Sequence, residues 1–377
     1  MRESPTIPVV AAGPRRDPVL DILRGLFLTL MTIDHLDGAL AKYGYEAFGY
    51  VTAAEGFVLL SGFVAARVYG GMRARDPQRF RAAVLKRALL LYVAHVLLVL
   101  VAIAAVWARG GAGHHGGPYE PFLRAPLEYL LKALSFQFQP YLLDVLPMYV
   151  LLVAGLPLLL GGMAVSRVAV LFASAGVWFL SLWLETESWV EGSGAFIFPS
   201  WQLLFVGGAL LASLPPRVAG AVVRSRLAFS AAIAVIVTGL ALRYGFSELV
   251  PSWWVHRPEL GPGRLLSVLA FAVVVARVTR PLAVPQGLTW FAFLGRHSLY
   301  VFMWHFPVVL LGKPQRVLGV LRGAGLSEHI PAFAVDLGVT LAACLSLAIP
   351  AWMHATWRAR VRRPISAVGR VELGPCQ

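Results

Sequence analysis

The chain has 377 residues, of which 58% are hydrophobic and only 14% charged, with a formal net charge of +14. A soluble domain carries roughly 25% charged residues, so this composition excludes a soluble enzyme and predicts a polytopic membrane protein, all-α by the constraint that backbone polar groups be satisfied inside lipid. The basic residues are scattered over several short loops and fit no nucleic-acid-binding motif, so no nucleic acid partner is expected.

Taken in order, residues 1–16 are Pro-rich and basic and read as a disordered cytosolic N-terminus. No cleavable signal peptide is expected, because the first apolar run keeps its charges and no small-residue cleavage site follows. Ten apolar runs then follow at about 18–37, 53–71, 84–107, 141–163, 167–184, 199–214, 227–245, 264–280, 288–311 and 331–353. They predict one bundle of about ten transmembrane helices over residues 17–354, followed by a basic cytosolic tail at 355–377. Segment 118–138 mixes Arg124, Glu128 and Lys132 with Leu and Phe at helical spacing. It reads as an amphipathic helix on the outer surface; if it spanned instead, every later orientation would flip. With both termini inside, the predicted inner segments hold 20 of the 33 Lys and Arg, in keeping with the positive-inside rule. The basic tail suits an anionic inner leaflet, so membrane lipids are expected partners. Cys344 and Cys376 fall in an apolar run and in the tail, so no structural disulfide is expected, and without any Asn there is no glycosylation sequon.

The first run holds the most informative stretch, DILRGLFLTLMTIDH. Asp21, Arg24 and His35 return to one helical stripe, with Arg24 and His35 about 16 Å apart along the axis at 1.5 Å per residue. Charged groups inside a span are costly and point to function, although Arg24 near one end and His35 near the other could snorkel. Asp34 lies roughly 100° from His35 and off the stripe. Glu55, entering the second span from outside, falls at the depth of His35. It would orient and activate the imidazole, or it is simply an acidic residue in the first turn of its helix. Ser61 and its neighbouring glycines allow close helix approach. Lys86 and Arg87 close the most basic inner loop and would suit the phosphates of a cytosolic ligand, while positive-inside topology explains them equally. His95 reads as a packing residue and Asp144 sits in the fourth run. Gln202 lies at an outer interface. Arg296, His297, Tyr300 and His305 crowd into the ninth run beyond what packing needs. No metal-ligand constellation is read.

The runs RDPVLDILRG, AAEGFVLLSGFVAARVYG, KRALLLYVAHVLL, LLDVLPMYVLL, FPSWQLLFVGGALL and LGRHSLYVF occur in order over residues 17–306. In these stretches the chain resembles the OpgC family, whose namesake attaches succinyl groups to osmoregulated periplasmic glucans. It is also similar to the larger acyltransferase-3 superfamily in the Arg24–His35 spacing, in Ser61–Phe63 and in the run Ser298–Pro307. The resemblance implies a membrane O-acyltransferase of the bacterial inner membrane. It implies transfer of a succinyl or acetyl group from cytosolic acyl-CoA, as co-substrate, to a hydroxyl of an extracytoplasmic glycan. His35 would then be the base, supported by Glu55 or Asp34. Arg24, Asp21, Ser61, Lys86, Arg87, Gln202, Arg296, His297, Tyr300 and His305 would contact donor or substrate. The superfamily's Arg-three residues-Arg motif occurs at Arg75 and Arg79, whereas the context KRALLLY points to Lys86 and Arg87. A secondary transporter of a small polar solute, and an acyltransferase with a lipid acceptor, are the competing readings. The expected picture is one passage in which side chains from the first, second and ninth runs converge. Oligomeric state is not legible.

Overall fold

The computed structural model describes residues 17–108, 119–184, 191–192, 196–280, 286–325 and 330–361. The basic N-terminus 1–16, most of the tail with Cys376, and the loop segments 109–118 and 185–190 lie outside the described residues. The fold is a helical membrane bundle. Its long helices are α1 (Pro18–His35), α2 (Ala53–Arg75) and α3 (Pro77–Ala108). After α4 (Pro126–Leu134) come α5 (Val145–Ala154), α6 (Leu156–Val165), α7 (Arg167–Trp183), α8 (Phe198–Ala212), α9 (Pro216–Arg224), α10 (Arg226–Gly245) and α11 (Pro262–Thr279). The chain ends with α12 (Thr289–Arg296), α13 (Ser298–Leu311), α14 (Pro314–Gly323), α15 (Ala332–Ser346) and α16 (Ala348–Val361).

Among the described residues, five helices are long and apolar enough to cross a membrane, namely α2, α3, α10, α11 and the continuous α15–α16 unit; counting each of two bent pairs as one span gives seven. The expected count of ten is therefore not reproduced, for physical reasons. Helix α1 carries Asp21, Arg24 and Asp34 within 18 residues. The run 141–163 bends by 47° between α5 and α6, where Gly155 and Pro157 meet. The run 199–214 is a 15-residue helix that turns through 106° into α9. The run 288–311 breaks at His297 into α12 and α13. Segment 118–138 is two helices, Pro121–Arg124 and α4, interrupted before Pro126, because proline disfavours helical geometry in the residue before it.

Two antiparallel helix pairs form the centre. In α1 and α12 the backbones touch: a methyl at Gly25 would fall on the Phe291 carbonyl, and one at Gly295 on the Asp21 carbonyl. In α2 and α8 the same holds for Gly62 against Phe205 and Gly208 against Leu59. Small residues thus let backbones approach without bulk between them, and this explains the Ser-Gly-Phe stretch at 61–63 as a packing device. Helix α1 starts where it does because Asp17 accepts the Val19 N–H at 3.0 Å and Pro18 follows at the first helical position. Trp201, Phe205, Phe306 and Leu28 are buried in the shared core. On α3, Leu85, Leu89, Val93, Leu97 and Val101 are exposed at every fourth position, an apolar stripe suited to lipid.

A small clip joins α4 to the strand pair β1 (Phe138–Gln139) and β2 (Glu191–Gly192), which run parallel. Glu191 accepts from Tyr129 Oη at 2.7 Å and from Lys132 Nζ at 3.1 Å. These two bonds, Tyr129 first, hold its carboxyl below the usual carboxylate range.

Candidate functional site: two cavities at the ends of the first helix

Helix α1 has a cavity at each end, and the two share no lining residue. In sequence between them the helix buries Phe27 and Leu28, and two separate cavities stand where one passage was expected.

The cavity at the C-terminal end measures about 290 Å³ and is lined by Asp34, His35, Asp144, Arg257, His305 and neighbours including Asp37, Lys42 and Tyr141. The His35 and His305 rings face each other with centroids 5.7 Å apart. His305 Nδ1 bonds to the Phe302 carbonyl one turn earlier in α13. Four buried side-chain polar atoms of this cavity have no hydrogen-bond partner among the described residues: Asp34 Oδ1, His35 Nδ1, Arg257 Nε and His305 Nε2. An unsatisfied buried polar group costs roughly 1–3 kcal/mol, so four around one hollow mark a place built for a polar guest.

The chain leaving α1 is tied down on several sides. Asp37 adopts φ 55°, its carboxylate pairs with Lys313 and its carbonyl accepts from Gln315 at 2.7 Å, while Asp336 caps the Ala39 N–H. Arg257 is positioned just as firmly. The N–H groups of Trp201 and Trp178 donate to the carbonyls of Pro258 (2.9 Å) and Leu260 (3.0 Å), and its guanidinium lies over the rings of Phe196 and Tyr45 at 5.4 and 5.7 Å.

Glu55 is placed differently from the pairing with His35 weighed above. It is fully buried, and Arg264 Nη1 donates to its Oε1 at 2.9 Å. Its other oxygen closes a capping box with Thr52, accepting the Thr52 N–H at 2.9 Å and the Thr52 hydroxyl. Arg264 also pairs with Glu46, which in turn meets Arg243 at 2.6 Å. Thr52 lines the cavity, so this network frames the site.

The second cavity, about 380 Å³, is strongly cationic. Arg24, Arg67, Arg87, Arg296 and Arg358 line it, with His297, Tyr300 and His354, against the acidic Asp17 and Asp21. Arg24 and Asp21 approach to 3.8 Å. His297 Nδ1 meets His354 Nδ1 at 2.7 Å, and the Tyr300 and His354 rings lie 4.0 Å apart. A fork of guanidinium groups around a hollow matches phosphate or carboxylate oxygens.

Of the sequence candidates, His35, Asp34 and His305 meet at the first cavity, and Asp21, Arg24, Arg87, Arg296, His297 and Tyr300 at the second. Four others do not line either, among them Glu55, held by Arg264 and Thr52. Lys86 is exposed on α3. Ser61 accepts from Tyr149 at 3.1 Å. Gln202 binds Ser174 twice, donating to its carbonyl at 2.8 Å and accepting its hydroxyl at 2.7 Å, and so joins α7 to α8. Residues not singled out from the sequence are Arg257 in one cavity and Arg67, His354 and Arg358 in the other. His354 and Arg358 sit four apart on α16, a spacing that puts them on one face and could have flagged them.

A family model described as OpgC protein matches residues 16–360, nearly the whole chain. No curated protein and no solved structure matches it.

Proposed function

The chain belongs to the OpgC family, and from that premise and the two cavities we propose that it is a membrane acyltransferase modifying a glucan or related glycan. The Arg24 cavity faces the cytosol in this reading, with both termini on that side of a bacterial inner membrane, and its five arginines hold the phosphates of an acyl-CoA. The His35 cavity faces outward and takes the glycan hydroxyl. The observation that carries the reading is the clustering of orphaned polar atoms, two imidazole nitrogens among them, at one end of α1 and of arginines at the other.

In the reaction the hydroxyl proton passes to His35. The oxygen attacks the thioester carbonyl, the carbon–sulfur bond breaks, and the thiolate leaves and is protonated. Arg257 Nε is the unsatisfied donor at the site and stabilises the oxyanion. Succinyl and acetyl are both compatible acyl groups. The two cavities share no lining residue, so the thioester arm reaches the hydroxyl only when the packing between them opens.

The test is His35→Ala. Purified protein in detergent, given acyl-CoA and a glucan, should lose acylation detected by mass spectrometry while keeping its elution profile and thermal transition. Retained acylation in that variant would remove His35 from the chemistry.

A further inference from the structure

We infer that His305 is the positioning residue that fixes the tautomer of His35, the part that Glu55 or Asp34 was expected to play. This rests on the acyltransferase reading for its kinetic consequence, and on geometry alone for its structural one.

The argument starts at the backbone. An imidazole whose Nδ1 faces a carbonyl carries its proton there, because a carbonyl only accepts. His305 Nδ1 faces the Phe302 carbonyl of its own helix, so His305 Nε2 is left as a lone pair. That nitrogen is buried and without a partner. The facing ring, His35, has its own Nδ1 buried and without a partner, with centroids 5.7 Å apart and planes tilted by 31°. As the rings stand these two nitrogens are not bonded to each other, and a turn of either ring is what joins them. A proton on His35 Nδ1 donated to His305 Nε2 satisfies both, and it leaves the lone pair of His35 on Nε2, the only form in which that nitrogen accepts a hydroxyl proton. The chain then runs from hydroxyl to His35, from His35 to His305, and from His305 to a main-chain carbonyl. It has the logic of a base oriented by a third group, with an imidazole where a carboxylate usually stands. Glu55 does not fill this part, since its oxygens are taken by Arg264 and Thr52.

The experiment compares His305→Leu, which has no acceptor, with His305→Gln, whose amide oxygen accepts from His35. In the full-length protein, His305→Leu should lower kcat by about 10²-fold or more with little change in the KM of either substrate. His305→Gln should recover at least part of that loss. Nitrogen-15 NMR of histidine-labelled protein should show the Nδ1–H tautomer of His35 in the wild type and in His305→Gln, and its loss in His305→Leu. Wild-type kcat in His305→Leu would overturn the inference, and so would an unchanged His35 tautomer in that variant. The NMR readout needs no turnover. A wild type that transfers no acyl group but shows the expected tautomers would sink the acyltransferase reading and leave the His35–His305 pairing standing.

Discussion

Single residues decide what the His35 cavity can do. Four buried polar atoms without partners include an acceptor, Asp34 Oδ1, and a donor, Arg257 Nε, beside the two imidazoles. A hydroxyl-bearing ligand can satisfy Asp34 and Arg257, while the two imidazoles can answer each other; an apolar ligand leaves both the acceptor and the donor at a cost. Arg257→Ala should therefore lower kcat by about 10²-fold, the usual effect of removing one oxyanion donor, while Arg257→Lys should recover only part of the loss because it lacks the planar fork. Steady-state kinetics on the two variants checks this. His35 and His305 were legible in the sequence because each is an imidazole inside an apolar run. Arg257 was not, because it lies in a loop where no periodicity marks a face, and the two tryptophans that pin that loop come from α7 and α8. Glu55 reads from the sequence as a partner of His35 or a first-turn acid, whereas its partner Arg264 lies 209 residues away, beyond the reach of any local pattern.

At the scale of elements, the frame of the site is ionic on one side and glycine-packed on the other. Arg264 serves both Glu46 and Glu55. Removing it leaves Glu55 buried without its guanidinium partner and Glu46 with Arg243 alone, and breaking such a buried pair costs about 3–5 kcal/mol. Arg264→Ala should unfold at clearly lower temperature in detergent, whereas the exposed Lys86→Ala should not. The α1–α12 contact makes a separate prediction: Gly25→Leu should disrupt the bundle, since even one methyl there meets backbone; loss of a monodisperse elution peak is the readout. The clip between α4 and β2 titrates. Glu191 has a folded pKa below its ordinary value, so its contribution is present above the unfolded pKa, near 4.5, and is lost as pH falls through the lower folded value. Amide exchange in residues 126–139 should therefore speed up beyond its intrinsic pH trend in acid, and Glu191→Gln should show the faster exchange already at neutral pH. The helical class and the starts of the first two long helices, at about 18 and 53, followed from the apolar runs. The broken spans did not, because a run such as 288–311 is apolar on both sides of Arg296 and His297 and reads as one helix through the break.

For the whole molecule, the proposed function puts donor and acceptor at opposite ends of α1, with Arg24 and His35 roughly 16 Å apart at 1.5 Å per residue, within a hydrocarbon core about 30 Å thick. The division predicts separable defects. Arg87→Ala and Arg358→Ala should raise the KM for acyl-CoA and leave the glycan KM unchanged, while Arg257 variants should spare donor affinity. The direct measurement is transfer across a sealed membrane. In proteoliposomes holding the protein in one orientation, labelled acyl-CoA is supplied on the face of the Arg24 cavity and glucan on the other. The account predicts labelled glucan in that arrangement and none when both substrates share either face. Label appearing only when donor and acceptor are on the same side would contradict it.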